Sequence, residues 1–181
     1  MKNHLRTILR RLLVVAVAAA ALAACRPGGS DAVAQLEGCR IPGVDREVRC
    51  GTVSMPEDPD QPQGKTIEIR FAVVPAVARN KQPDPVFVLA GGPGQAATRT
   101  GRQMMAVLNE VNARRDIVFI DQRGTGGSHP LECKVEETSI SATFEQSQQI
   151  ERLGACLKEL RGDLRQYATW IAVRDFDAVR A

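Results

Sequence analysis

Apolar and polar residues alternate along the segment KTIEIRFAVVPA, residues 65–76. One face of this segment carries four large apolar side chains, those of Ile67, Ile69, Phe71 and Val73, and the other face carries Thr66, Glu68 and Arg70. A period of two is typical of a half-buried β-strand. The preceding residues, Cys50 to Met55, predict a second strand that ends at Pro56 and pairs with the first in antiparallel fashion.

Two continuous apolar runs follow, PVFVLA (Pro85 to Ala90) and DIVFID (Asp116 to Asp121). Such runs are typical of strands that are buried on both faces. Between them, Met104, Leu108 and Val111 recur at helical spacing. Strand, helix and strand in this order predict a βαβ unit with parallel pairing and a right-handed crossover, and therefore an α/β fold.

Two further helices are predicted near the end of the chain. An apolar stripe before Gly162 marks the first, with Ile150, Leu153, Leu157 and Leu160. The segment TWIAVRDFDAVRA marks the second, with Thr169 as its N-cap and with Phe176 and Val179 facing inward. The spacing of Asp175 and Asp177 predicts that both lie on the polar face of this helix.

The first 24 residues have the pattern of a signal peptide. Four basic residues precede the apolar run LLVVAVAAAALAA, which is too short to span a bilayer comfortably. The residues Leu22-Ala23-Ala24-Cys25 resemble a bacterial lipobox, which implies cleavage before Cys25 and lipid attachment to its thiol; an ordinary signal peptide with an incidental cysteine is the alternative. We therefore expect a signal over residues 1–24, a polar tether over 25–37 and a domain over 38–181, anchored by lipid to a membrane of the bacterial cell envelope.

The charge of the chain changes once this signal is set aside. The whole chain carries 24 basic and 21 acidic residues, and four of the basic residues belong to the signal. The remaining part is close to neutral and offers no basic face for a polyanion. Nucleic acid is therefore not an expected partner.

Four cysteines remain after Cys25, namely Cys39, Cys50, Cys133 and Cys156. An even number in an exported chain predicts two disulfides, for which three connectivities are possible. We favour the pairing of sequence neighbours, Cys39 with Cys50 and Cys133 with Cys156. A metal site is not expected, because the chain has no C-x-x-C motif and His129 is the one histidine outside the signal.

Residues Gly91-Gly92-Pro93-Gly94 directly follow the first apolar strand. In an open α/β sheet ligands bind at the carboxyl ends of the strands, where this loop is expected to lie. Glycines let the backbone approach a ligand, and N–H groups aimed at a developing negative charge form an oxyanion hole. The alternative is a tight turn without a catalytic role. The glycine patterns of nucleotide-binding loops are absent, and no cofactor is expected.

The second parallel strand ends in DQRGTGGS, Asp121 to Ser128. The pair GGPG and DQRGTGGS, with further support from CGTVSMPED and RDFDAVRA, resembles the α/β-hydrolase superfamily and most closely its proline iminopeptidase and tripeptidyl aminopeptidase-like branch. Ala90 stands where many proline iminopeptidases have histidine, which favours the tripeptidyl aminopeptidase side. The resemblance implies that Gly91 and Gly92 contribute to an oxyanion hole. It also implies a structural turn that holds loops together, with Asp121, Arg123, Gly124 and Gly126.

Catalysis in this superfamily uses serine, acid and histidine, with the serine on a G-x-S-x-G elbow. Ser128 comes nearest to that motif, but Pro130 stands in place of the last glycine, and His129 is expected to be an exposed loop residue. No triad can be assigned, so the resemblance implies that all three catalytic residues lie beyond Ala181 and that the chain is truncated before the elbow.

The leading hypothesis is the N-terminal portion of an exported serine hydrolase of the aminopeptidase type, which cleaves peptide substrates through an acyl-enzyme and is inactive as this chain alone. Two alternatives remain, a non-catalytic lipid-anchored binding protein and an esterase or lipase of the same fold.

Overall fold

The computed structural model describes residues 36–92, 94–133 and 146–181, which belong to one compact unit, Ala34–Ala181. The predicted signal, Cys25, nearly all of the predicted tether and Pro93 lie outside the described residues. No helix in the described ranges has the length and apolar character needed to cross a membrane.

Five strands form one mixed sheet. They are β1 (Glu37–Cys39), β2 (Val48–Pro56), β3 (Thr66–Val74), β4 (Val86–Val88) and β5 (Ile117–Ile120). Their order across the sheet is β1-β2-β3-β5-β4, with antiparallel pairing everywhere except between β4 and β5, which are parallel. Within the described residues, three α-helices accompany the sheet, α1 (Gly101–Asn112), α2 (Gln146–Glu159) and α3 (Thr169–Arg180). The same ranges contain two short 3₁₀ helices, Ala97–Thr100 and Leu164–Gln166.

The two predicted halves of the sheet are both present. Strands β2 and β3 pair as an antiparallel hairpin, and β2 begins two residues before the predicted start. Strands β4 and β5 run parallel, with α1 between them in the chain. The structure thus confirms the hairpin and the βαβ unit, and the mixed sheet with its helices is compatible with an α/β fold.

Each face of the sheet is covered by its own helix. On one face, Ile67, Ile69 and Phe71 pack with buried residues of β5, and Phe176 and Val179 of α3 lie against them, as predicted. On the other face, Ala72 and Val74 of β3 are buried beneath apolar residues of α1. Strict alternation of apolar and polar residues therefore ends after Arg70, because from that point both faces of β3 are covered.

The edges of the predicted elements differ from the structure in two places. Strand β1 was not predicted, since its three residues show no alternation, and it begins at Glu37, inside the segment predicted as a tether. The N-cap of α3 is Ala168 and not Thr169, and no side chain caps it. The apolar stripe predicted for α2 lies on the helix, and its residues Ile150, Leu153 and Leu157 are exposed.

Both favoured disulfides are present. Cys39 is bonded to Cys50, with 5.8 Å between their Cα atoms, and Cys133 is bonded to Cys156, with 5.4 Å between theirs. The first joins β1 to β2, and the second joins the turn region after β5 to α2. Each crosslink restricts the unfolded chain, and the stabilisation expected for loops of this length is roughly 3 kcal/mol.

Candidate functional site

The glycine loop lies at the carboxyl end of β4, and its glycines are exposed to solvent. Gly92 and Gly94 have positive φ values of 76° and 95°, which side chains rarely allow, whereas Gly91 does not. A Cβ atom placed on any of these three glycines would meet no atom within 4 Å. Within the described residues, the N–H groups of Gly91 and Gly92 donate to no carbonyl oxygen. The loop therefore presents main-chain donors to an open side of the molecule.

The Asp121 side chain connects this region to the turn after β5. Its carboxylate is fully buried and accepts hydrogen bonds from the Thr98 N–H and hydroxyl, both at 2.9 Å, and from the Gly127 N–H at 3.0 Å. Thr98 belongs to the 3₁₀ helix that follows the glycine loop. The carboxylate thus joins the chain segments that follow β4 and β5.

Ser128, the serine nearest to an elbow motif, is buried and fully engaged. Its hydroxyl donates to the Asp121 carbonyl oxygen at 2.7 Å and accepts from the Arg70 N–H at 2.8 Å. These bonds close the turn back onto β3. Glycine is needed at Gly126 in the same turn, because φ is positive there and a Cβ would collide with the Asp121 carboxylate. Ser128 is therefore a structural residue of the turn.

Arg123 and Asp175 form a buried ion pair that was not predicted from the sequence. Two parallel hydrogen bonds of 2.7 Å join the Arg123 Nε and Nη2 atoms to the two carboxylate oxygens of Asp175. The expectation that Asp175 lies on the polar face of its helix is wrong, since this residue has no exposed surface. A buried guanidinium requires a counter-charge, and Asp175 supplies it. Asp177, by contrast, is exposed and pairs with Arg180.

The remaining Arg123 hydrogen bonds reach three carbonyl oxygens in two separate segments. Nη1 donates to the carbonyl oxygens of Glu57 at 2.8 Å and Gln166 at 3.0 Å, and Nη2 donates to that of Pro56 at 3.4 Å. The turn after β5, the end of β2, the second 3₁₀ helix and α3 are therefore held by one side chain. Gly124 lies next to Arg123 with φ of 85°, which allows the chain to reverse direction there.

The Glu57 carboxylate accepts from the Tyr167 hydroxyl at 2.8 Å and the Lys65 ammonium at 3.0 Å. Burial, the largest single cause, would raise the pKa of Glu57, but these two hydrogen bonds together with nearby positive charge, mainly that of Lys65, hold the pKa below its ordinary value. Burial, and then the bond to Glu57, raise the pKa of Tyr167. The ring of His129 is stacked on that of Tyr167 with 6.1 Å between centroids, so His129 is half-buried rather than exposed.

Acid should weaken the fold through Glu57. Because its pKa is lower in the folded state, the stabilisation is complete above its ordinary pKa of 4.5 and is lost as the pH falls through the lower folded value. Tyr167→Phe removes one of the bonds that lower this pKa, so the loss of unfolding free energy between about pH 6 and about pH 3 should be smaller in the variant. Urea titrations across that range measure the difference. An equal acid sensitivity of both proteins would contradict this role for the Tyr167 bond.

A signal for Asp175 was present in the sequence. The inward residues of α3 recur as Ile171, Ala172, Phe176 and Val179, and Asp175 falls on the same face at helical spacing. A carboxylate among inward positions is typical of a buried ion pair. No comparable signal exists for Glu57, whose partner Tyr167 is 110 residues away. In the described ranges, no group of three or more His, Cys, Asp or Glu residues is placed to hold a metal ion.

Comparison with known proteins indicates the class of protein to which the chain is similar. No protein-family model matches the chain. Carboxylesterase B of Mycobacterium tuberculosis and a putative hydrolase of Mycobacterium bovis are each 35% identical to it over 94 residues. This match covers 50% of the chain but 18% of each relative, so the matched part is a small share of the relatives' length. These relatives, taken together with the mixed sheet of this chain, suggest a hydrolase of the α/β-hydrolase type.

Proposed function

We propose that the chain contributes the N-terminal part of a serine hydrolase in which the glycine loop after β4 forms half of the oxyanion hole. The observation that carries this proposal is the pair of exposed N–H groups of Gly91 and Gly92, which lie at the carboxyl end of a parallel strand and donate to no carbonyl oxygen of the described residues. Donors fixed in advance stabilise a developing oxyanion because no reorganisation is needed during the reaction. The Asp121 bonds to Thr98 supply that rigidity a few residues further along the chain.

The second half of the site would come from outside these 181 residues. The sequence contains no G-x-S-x-G elbow, and the known relatives are much longer than the part they share with this chain. In the complete enzyme the serine oxygen would attack the substrate carbonyl carbon while its proton passes to a histidine and then to the leaving group. Water would next cleave the acyl-enzyme by the same route and release the acid. The N–H after the serine would be the second oxyanion donor.

Two substrate classes fit this chemistry, and each has its own support. The pair GGPG and DQRGTGGS resembles aminopeptidases that release residues or short peptides from the amino end. The name carboxylesterase B, carried by a relative, favours ester substrates instead. We propose peptide hydrolysis from the amino terminus as the leading activity and ester hydrolysis as the alternative. The basic and apolar residues before Cys25 support export and lipid anchoring in the cell envelope.

Covalent labelling with a fluorophosphonate tests the hydrolase proposal. The 181-residue chain should not be labelled, whereas the product of the same gene read beyond the codon for Ala181 should be labelled at the serine of a G-x-S-x-G segment. In that product, Gly92→Ala should slow labelling at least about tenfold, because a side chain there strains the backbone next to the oxyanion. Gly91→Ala is the matched control for strain, since φ is not positive at that position. Labelling of a serine within residues 1–181 would overturn the proposal.

Substrate class is tested with three probes on the longer gene product before any treatment with fluorophosphonate. An aminopeptidase should cleave a peptide anilide with a free amino terminus, and acetylation of that terminus should abolish the reaction. Comparable turnover of the acetylated peptide and of a simple aryl ester would instead assign an esterase. Failure of all three probes, without fluorophosphonate labelling, would leave the non-catalytic binding role.

A further inference from the structure

A small cavity with a positively charged lining lies beside the turn after β5. Its volume is about 240 Å³, and three arginines, Arg40, Arg70 and Arg99, line it together with Thr98 and Gly127. They come from three distant parts of the chain, namely the loop after β1, strand β3 and the 3₁₀ helix after the glycine loop. The fold therefore brings three arginine side chains to the lining of one cavity.

The charge of these arginines is only weakly compensated. Asp121 is the one carboxylate in the lining, and its oxygens already accept three hydrogen bonds. Arg40 donates to a carbonyl oxygen, which carries no net charge. Arg99 has a carboxylate neighbour, Glu132, at 3.6 Å, but both side chains are about two-thirds exposed and such a pair is weak.

Arg70 has the most restrained side chain of the three. Its backbone N–H is fixed by Ser128, and its aliphatic stem lies directly over Gly127, where a Cβ would collide with it. Its guanidinium makes no ion pair within the described residues, and its polar contact there is Nη2 to the Cys50 sulfur at 3.9 Å. A held stem with an uncompensated charged end costs little further entropy when it binds an anion.

From this arrangement we propose that the cavity binds a small oxyanion, a phosphate or carboxylate group, through Arg70 with Arg40 and Arg99. Guanidinium groups match the oxygens of such anions with paired, charge-assisted hydrogen bonds. The volume is below the range of about 300–1,000 Å³ of sites that enclose drug-sized ligands, which favours a small group over a large molecule. The site does not use Gly91 or Gly92, so it is independent of the proposed hydrolase activity.

Isothermal titration of the full chain with inorganic phosphate, against chloride of equal ionic strength, tests the proposal. We expect one phosphate bound per chain. Arg70→Met keeps the aliphatic stem and removes the charge, and it should raise the Kd at least about tenfold. The double variant Arg40→Gln/Arg99→Gln should also raise the Kd for phosphate. Because it changes only exposed side chains, it tests the proposal even if Arg70→Met fails to fold. Arg174→Gln, an exposed arginine outside the cavity, is the matched control and should leave the Kd unchanged.

A second measurement distinguishes a free anion from a lipid headgroup. Binding to phosphatidylglycerol vesicles, corrected for binding to phosphatidylcholine vesicles, should fall in the cavity variants if the anion is part of an anionic membrane surface. Phosphate binding that depends on the cavity arginines supports a free anion, and vesicle binding that depends on them without phosphate binding supports a headgroup. If neither probe separates the cavity variants from the wild type, or Arg174→Gln weakens binding equally, the proposal is wrong.

Discussion

Asp175→Ala should lower the free energy of unfolding by about 3–5 kcal/mol, the cost typical of removing one partner from a buried ion pair. The reason is the state of Arg123 in the variant, whose guanidinium would remain buried without its two bonds of 2.7 Å. Urea denaturation followed by circular dichroism measures the loss. Asp177→Ala is the matched control on the same helix, and because its pair with Arg180 is exposed it should cost less than about 1 kcal/mol.

A double replacement separates the charge from the packing. Arg123→Met together with Asp175→Leu removes both charges and keeps apolar volume, so it should be more stable than Asp175→Ala alone. The carbonyl oxygens of Glu57 and Gln166 would still lose their donor, so some loss relative to the wild type should remain. Equal stability of Asp175→Ala and Asp177→Ala would contradict the assignment of a buried pair.

Asp121→Ala should have the next largest effect, about 2–4 kcal/mol, because three donors lose a charged acceptor in a buried position. Thr98→Val removes one of these hydrogen bonds and should cost about 1–2 kcal/mol. Asp84→Asn changes an exposed carboxylate beside Arg115 and should be close to neutral. The same urea titrations give all three values. A loss for Asp121→Ala no larger than that for Asp84→Asn would show that the carboxylate does not hold the two turns together.

The sheet was predictable because its signals are local. The alternation from Thr66 onward and the continuous runs around Val86 and Ile117 depend only on how many faces of each strand are covered. The place of the glycine loop followed from the same patterns, since the carboxyl ends of parallel strands define one edge of a sheet. Its role in catalysis stays a prediction.

The rest depends on contacts that no local pattern contains. Helical spacing shows that Ile150, Leu153 and Leu157 share a face, but not what covers that face, and all three are exposed. The Asp175 carboxylate is buried because Arg123, 52 residues earlier, is buried beside it. The error for Asp175 comes from reading a helix by itself, where an acidic residue is assigned to solvent by its type alone.

The position of β5 between β3 and β4 also sets an order of assembly during synthesis. β2 and β3 are neighbours in the chain and can pair as soon as both have emerged. β4 is made before β5 but, within the described residues, pairs with β5 alone, so it has no strand partner until residues 117–120 arrive. We therefore expect the glycine loop to acquire its final position only after β5 has docked on the hairpin. Late closure of this kind leaves the apolar residues of β4 available to a chaperone for as long as the ribosome takes to make α1 and β5.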